Sequence, residues 1–338
     1  MYKVISTFSG IGGSSQGYKQ AGLRVIASVE FLDYQAENYR LNHPTTHLYQ
    51  GNIRDLDPLA ILADHELQPG ELDILDGSPP CSSFSTNGIV SEGWGKVKDY
   101  GNKKQRTDDL FYEFIRFLTV IKPKVFVAEN VSGLIKGKSI GHFNNFLRAF
   151  KAAGYITKAK LMNAANYGVP QARERVIFQG VRSDLNLEPV YPGSVGKIVT
   201  AAQALKGVII DTTEDVSLSE IYRTYYSRTF PGEGMDKGSM RVGDGYKWFS
   251  CKRLHAHKPA FTLTAHVGSD LTHWSEPRNL YIGELKRLQS FPDNYILTGS
   301  RSRQAEGIGR SVPPKMMEAI GRSIATQILD KVSGIKQE

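Results

Sequence analysis

Cysteine is nearly missing from this chain. Among 338 residues there are two, Cys81 and Cys251. That excludes a disulfide scaffold and a cysteine-ligated zinc site, and it suits a reducing compartment. Long apolar runs are missing too, so nothing is suited to span a bilayer. The first ten residues, MYKVISTFSG, lack the apolar segment and small-residue cleavage site of a secretory leader. No repeat or low-complexity tract breaks the chain. Acidic residues fall short of basic ones, 34 against 42, leaving a net charge of +8. The excess favours an anionic partner such as nucleic acid without requiring one.

What the chain does have is rhythm. Short β-rich runs at Lys3–Thr7, Val25–Glu30, Leu72–Asp76, Lys124–Ala128 and Arg175–Val181 alternate with helical patterns. The helical patterns cover Ser14–Ala21, Asp33–Asn42, Asp108–Ile121 and Asn144–Ala153. Alternation of this kind predicts an α/β fold, a doubly wound and mostly parallel sheet covered by helices on both faces. After Gly180 the rhythm stops. Residues from about 190 to 275 are rich in Gly, Pro, Thr, Tyr and basic side chains, which predicts a second, smaller, irregular and β-rich domain. Two helices, in GELKRLQSF and VPPKMMEAIGRSIATQIL, are expected at the end, the last packing back onto the first domain.

Four motifs sit at the expected strand ends. FSGIGGSSQGYKQAG, Phe8 to Gly22, follows a strand and opens a helix, and Gly10, Gly12 and Gly13 let the backbone approach a ligand. Ser15 stands where the dinucleotide fingerprint needs its third glycine, so a nicotinamide enzyme is disfavoured. Glu30, at the next strand end, offers a carboxylate to ribose hydroxyls, which makes a nucleoside-containing cofactor a better reading than a plain tight turn. DGSPPCSSFS places Cys81 in a loop after two prolines, where a pre-positioned nucleophile is as natural as a buried small side chain. VFVAENV ends in Glu129 and Asn130, and NYGVPQARERVI carries Arg173 and Arg175 two apart, on one face if extended. Singly, the last two also read as an ordinary strand end and a solvated charge cluster.

In their order these motifs, with RLQSFPD at 287–293 and SVPP at 311–314, resemble the DNA (cytosine-5) methyltransferase family over nearly the whole chain. The resemblance implies a Rossmann-like class I methyltransferase that transfers a methyl group from S-adenosyl-L-methionine to C5 of a cytosine flipped out of double-stranded DNA. Catalysis would fall to Cys81, Glu129, Arg173 and Arg175. The cofactor would lie among Phe8, Gly10, Gly12, Glu30, Phe31, Asn52, Ile53, Pro80 and Leu110, with Arg310, Ser311 and Val312 beside it. No metal is implied. Residues 1–188 would form the catalytic and cofactor domain, 189–275 the target-recognition domain, and 276–338 the closing motifs with the C-terminal helix. Residues 82–106, with five basic side chains against two acidic, would close on DNA. A monomer in the cytoplasm of a bacterial, archaeal or phage-infected cell is expected. The alternatives are an RNA cytosine-C5 methyltransferase and a catalytically inactive DNA-binding module.

Two positions depart from the family pattern. Asn52 stands where the family usually has Asp; an amide oxygen still accepts from an adenine amino group, without charge assistance. In GIGRSVPP, read as a tight glycine turn, Arg310 replaces the family's asparagine. A second cation about 4 Å from a sulfonium costs roughly 4 kcal/mol at an effective dielectric near 20. Arg310 is therefore expected to pair with an acid, point at a DNA phosphate, or receive a carboxylate carried by the transferred group, which would make the donor a carboxylated S-adenosylmethionine and the product carboxymethylcytosine.

Overall fold

The computed structural model describes residues 1–80, 98–100, 103–105, 109–136, 139–246, 251–266 and 270–334. The chain divides into two compact units. The first comprises Met1–Met162, Glu174–Gly193 and Met316–Glu338, and the second Asn163–Arg173 and Ser194–Lys315.

The first unit is built on a seven-stranded sheet. Its strands are β1 (Lys3–Thr7), β2 (Arg24–Glu30), β3 (His47–Gln50), β4 (Ile74–Gly77), β7 (Val125–Val131), β8 (Tyr155–Asn163) and β9 (Glu174–Arg182), in the order β3-β2-β1-β4-β7-β9-β8. Strands β3, β2, β1, β4 and β7 pair in parallel, and β9 runs antiparallel to β7. Two further short strands, β5 (Lys98–Tyr100) and β6 (Lys103–Gln105), pair only with each other. The predicted alternation is thus present, and the two sheet strands missed from the sequence are the edges. Strand β8 is interrupted by lysines and mostly half-exposed or exposed, so it carries no apolar run to read.

Helices α1 (Gly13–Gln20), α2 (Asp33–Asn42), α3 (Pro58–Ala63), α4 (Leu110–Ile121) and α5 (Ile140–Ala152) cover the sheet. Helix α4 buries Leu110, Phe111, Phe114, Phe117, Leu118 and Ile121, a helical stripe, and stops at Lys122 in the left-handed region before Pro123. Its rings join Phe126, Phe146, Phe150 and Phe178 in one aromatic core. Gly180 on β9 is required there: a Cβ at that position would stand 2.0 Å from the Phe126 ring. The C-terminal helix joins this unit from Met316 on. It presents Gly321 to Tyr18 and Ala21, and its Arg322 donates to the Gln20 carbonyl at 2.7 Å.

The second unit contains one parallel two-stranded sheet, β10 (Lys252–Arg253) with β11 (Leu271–Thr272). Around it lie α6 (Ala201–Leu205), α7 (Glu220–Arg228), α8 (Met235–Val242), α9 (Ile282–Leu288) and α10 (Arg301–Arg310). Helices account for more of its described regular structure than strands do. Helix α11, Pro314–Ile324, continues through a π-helical segment, Ala325–Leu329, into a short α-helix, Asp330–Val332. Two expectations are corrected here. A helix, Arg301–Arg310, stands between the two that were expected, and the glycines of GIGRSVPP do not form a turn. Gly307 and Gly309 lie inside α10, which ends at Arg310. A Cβ on Gly309 would stand 1.8 Å from the Thr264 carbonyl oxygen, so this glycine serves close packing of a helix against main chain.

Candidate active site

Parallel strands carry their carboxyl ends to one edge of the sheet, where ligands of α/β folds bind. On β1 that edge continues into the glycine loop. Phe8, at φ 54, and Gly10, at φ 57, both occupy the left-handed region, uncommon for a phenylalanine. Gly12, at φ 96, forms the N-cap of α1. The loop is held by Glu30 at the end of β2. One oxygen of its carboxylate accepts from Gly10 N at 2.7 Å, the other from Phe31 N and Leu32 N, each at 2.8 Å. A side chain at Gly10 would be strained by its left-handed backbone, and its Cβ would lie 2.9 Å from Gln35 Oε1, which would have to move.

Asn52 leads from β3 into a short 3-10 turn, Ile53–Asp55. Its amide oxygen accepts from Arg54 N at 3.2 Å and from Arg54 Nη1 at 3.4 Å. Arg54 also pairs with Asp109, the residue before buried Leu110. Ile53 is buried, and its carbonyl accepts from Arg116 Nη2 at 2.7 Å. Pro80, half-buried, ends the described part of the β4 exit. Cys81 lies outside the described residues, as do residues 82–106 apart from β5 and β6. The other cysteine, Cys251, is buried, and burial pushes its thiol up to about 12, which unfits it as a nucleophile.

At the end of β7, Glu129 meets Arg175 of β9. The antiparallel register sets Glu129 opposite Ile177 and Val131 opposite Arg175, so Glu129 and Arg175 are diagonal neighbours on one face. Glu129 Oε1 and Arg175 Nε stand 2.7 Å apart, with only 11% and 14% of their side chains exposed. The next residue, Asn130, is buried, and its Oδ1 accepts from Val131 N at 2.9 Å.

Arg173 belongs to the other unit, because the unit boundary falls between it and Glu174. It is almost wholly buried, and its Nη1 donates to the Leu263 carbonyl at 2.7 Å. The structure therefore gives the two arginines different partners. Within the second unit a buried chain of amides joins motifs that the sequence shows far apart. Gln171 Oε1 accepts from Leu263 N at 2.9 Å, Gln171 Nε2 donates to Gln289 Oε1, and Gln289 Nε2 donates to the Ser311 carbonyl. Ser311 in turn donates to the Gly307 carbonyl at 2.8 Å, and Val312 is buried. Arg310 pairs with Glu306 one turn back, at 2.6 Å. His255 and His257 lie with ring centroids 6.0 Å apart, and no group of three or more metal-ligating side chains occurs among the described residues.

Sequence reasoning passed over Asp76, the last but one residue of β4. It is 1% exposed. Ser6 Oγ donates to its Oδ2 at 2.8 Å and Tyr18 OH to its Oδ1 at 3.2 Å. Burial pushes its carboxyl up to about 7. The signal was in the sequence, an acid ending an apolar strand run, but only the packing of α1 reveals that it is enclosed.

A mostly parallel sheet, a glycine loop opening the first helix and an acid at the second strand end define a Rossmann-like methyltransferase. The chain belongs to the C-5 cytosine-specific DNA methylase family, whose model matches residues 2–326. It is 30% identical over 338 residues to the type II methyltransferase M.NgoFVII of Neisseria gonorrhoeae, covering 95% of this chain and 86% of that protein. It is 32% identical over 346 residues to M.Sau96I of Staphylococcus aureus, covering 96% and 75%. In fold it resembles a putative DNA modification methyltransferase encoded within an Escherichia coli prophage, at TM-score 0.76 and 23% identity, covering 97% of this chain and all of that one. Membership makes the protein a DNA cytosine-C5 methyltransferase that depends on S-adenosylmethionine and takes DNA as substrate.

Proposed function

We propose that Cys81 is the nucleophile, Glu129 the carboxyl that manages the N3 edge of the base, and Arg175 the cation that orients both Glu129 and the base. The observation that carries this reading is the Glu129–Arg175 pair, largely withdrawn from water at the strand ends. Addition of the Cys81 sulfur to C6 pushes the C5–C6 π pair toward C4 and the C4–N3 pair onto N3. Glu129 holds the proton that arrives at N3. C5 is then an enamine carbon and takes the transferred group. Return of the N3 proton to Glu129 and loss of the C5 proton return the electron pair to C5–C6, break the bond from Cys81 to C6 and restore the thiolate. Arg173 acts at one remove, fixing the main chain that leads into β9. The base is flipped from double-stranded DNA, since C5 and C6 are unreachable in a stacked duplex.

Phe8, Gly10, Gly12, Glu30, Phe31, Asn52, Ile53, Pro80 and Leu110 fit the cofactor: the left-handed loop at Phe8 and Gly10 sets main chain at the carboxyl edge of the sheet, beside the Glu30 carboxylate. S-adenosylmethionine, when bound, supplies an electron-poor methyl carbon. The Arg310–Glu306 pair favours methyl over carboxymethyl as the transferred group, because it meets the arginine's charge within its own helix. In competition between S-adenosylmethionine and its carboxylated form, Arg310→Asn is expected to leave the preference for methyl unchanged. A preference for the carboxylated donor in the native enzyme, lost in the variant, would reverse this reading.

Residues 189–275 form the target-recognition region and residues 276–338 the closing motifs. Phe230 supports the former: it is 64% exposed beside α7, with the Arg241 guanidinium, paired to Glu233, 4.6 Å from its ring centroid, a face suited to stacking on bases. The enzyme works as a cytoplasmic monomer and serves as a modification enzyme like its type II relatives; no described helix is long and apolar enough to cross a membrane. The test is covalent trapping on duplex DNA containing 5-fluorocytosine. The native protein is expected to form a stable adduct, and Cys81→Ser to lose adduct and turnover while still binding cofactor. An adduct formed by Cys81→Ser, or label transferred to tRNA and not to DNA, removes the assignment.

A further inference from the structure

Asp76 is used by nothing in the reaction described above, yet it is costly to keep. A carboxyl enclosed this fully persists where hydrogen bonds compensate it. The donors come from two elements besides its own strand. Ser6 on β1 donates at 2.8 Å and Tyr18 on α1 at 3.2 Å, while the hydroxyl of Ser14, in the first turn of α1, makes a third hydrogen bond. The Asp76 main-chain oxygen also accepts from Thr7 Oγ1 at 3.0 Å. Within the glycine loop, Gly12 N donates to the Ser9 carbonyl at 2.9 Å, and Ser28 Oγ donates to Ser9 Oγ at 2.6 Å. The glycine loop is therefore tied to polar groups on two sides, to the Glu30 carboxylate through Gly10 N and, through β1 and α1, to the Asp76 carboxylate.

We propose that Asp76 is a positioning residue for the cofactor: its carboxylate draws the first turns of α1 onto the tips of β1 and β4 and so sets the shape of the glycine loop that receives S-adenosylmethionine. This rests on the glycine loop being the cofactor's cradle, as proposed above. It makes the cradle sensitive to proton concentration. Ionised, Asp76 accepts from Ser6, Ser14 and Tyr18 together; protonated, it must spend one oxygen as a donor, and the tether loosens. The groups facing it are Ser6 and Thr7 on β1, Ser14 and Tyr18 on α1, the phenol of Tyr39 on α2 and the carboxylate of Glu129 on β7. Burial raises its carboxyl, the hydrogen bonds from Ser6, Tyr18 and Ser14 bring it part of the way back, and the negative charge of Glu129 adds a smaller rise, which leaves the transition at about 7.

The experiment measures the Kd for S-adenosylmethionine by titration calorimetry between pH 6 and pH 8.5, on the full chain and on Asp76→Asn. Binding by the native protein is expected to tighten roughly tenfold across that range, the scale of one charge-assisted hydrogen bond. Asp76→Asn, an amide that imitates the protonated acid, should bind weakly at every pH. The cofactor's own amino group titrates in the same window and contributes equally to both proteins, so the difference between the profiles isolates Asp76. Ser14→Ala, which removes a single donor, should retain part of the pH dependence and serves if Asp76→Asn folds poorly. Native and Asp76→Asn profiles of equal slope overturn the tether. Glu30→Gln separates the two readings. If it weakens binding at all pH while the Asp76 profiles coincide, the cradle stands and the tether falls. If it leaves binding intact, the cradle falls and the tether with it.

Discussion

On one face of the large sheet, Leu75, Phe126 and Phe178 share a core with Phe111, Phe114, Phe146 and Phe150; Phe111 stacks on Phe146 at 3.5 Å between centroids and Phe126 on Phe150 at 4.3 Å. On the other, Asp76, the residue after Leu75, meets Ser6 of β1 and Ser14 and Tyr18 of α1, while Ser28 of β2 meets Ser9. Both faces are buried. One is held by area removed from water and by dispersion, which are non-directional; the other by hydrogen bonds, which fix position. The polar face supports the glycine loop. The difference teaches that this protein draws its stability and its precision from opposite sides of one sheet.

The largest way to break that division is through the aromatic face. Phe150→Ala is expected to cost about 3–5 kcal/mol in chemical denaturation, with cofactor affinity of the folded protein unchanged. An affinity loss as large as the stability loss would mean the two faces do not divide the work. Next is the polar face seen through stability. The Asp76 carboxyl stands near 7 in the folded chain, above its ordinary 3.8. The native state therefore holds this proton more tightly than the unfolded chain, so the group's contribution is intact below about pH 4 and is lost as pH rises through 7. The full loss is on the order of 4 kcal/mol. Asp76→Asn should flatten the fall in stability between pH 5 and pH 8 measured by urea unfolding. It would then be relatively more stable at pH 8 while binding cofactor less well. An unchanged slope would deny that the buried carboxyl bears this cost. Smallest is Ser28→Ala, which removes the donor to Ser9 under the loop and should cost about 1 kcal/mol, read as a small shift in the same unfolding midpoint.

Much of this was legible without coordinates. The five predicted strands all exist within a few residues, because strands buried on both faces, four parallel and β9 antiparallel, announce themselves as apolar runs bounded by turns. The two edge strands were not legible, since half-exposed strands share their composition with loops. Helix α10 was hidden by Gly307 and Gly309, which read as breakers; in the fold, Gly309 is small so that the helix can touch the Thr264 main chain. The roles of QARER divided likewise. Its arginines look equivalent in sequence, yet one donates to Leu263 and the other pairs with Glu129.

What the sequence by itself determined was the alternation of strands and helices, the order of the motifs and the chemical types placed at strand ends, because these depend on local periodicity and residue chemistry. Only the tertiary structure decided which of those types meet. Strand β9 running antiparallel beside β7 brings Arg175 to Glu129 across 46 residues of chain. Helix α1 laid over β1 and β4 encloses Asp76 and makes an ordinary carboxyl into one that titrates near neutrality. One turn of helix supplies Glu306 to Arg310, where a glycine turn would have left that cation to find its anion elsewhere. Burial and partnership are properties of the packed chain, and ionisation, orientation and reactivity follow from them.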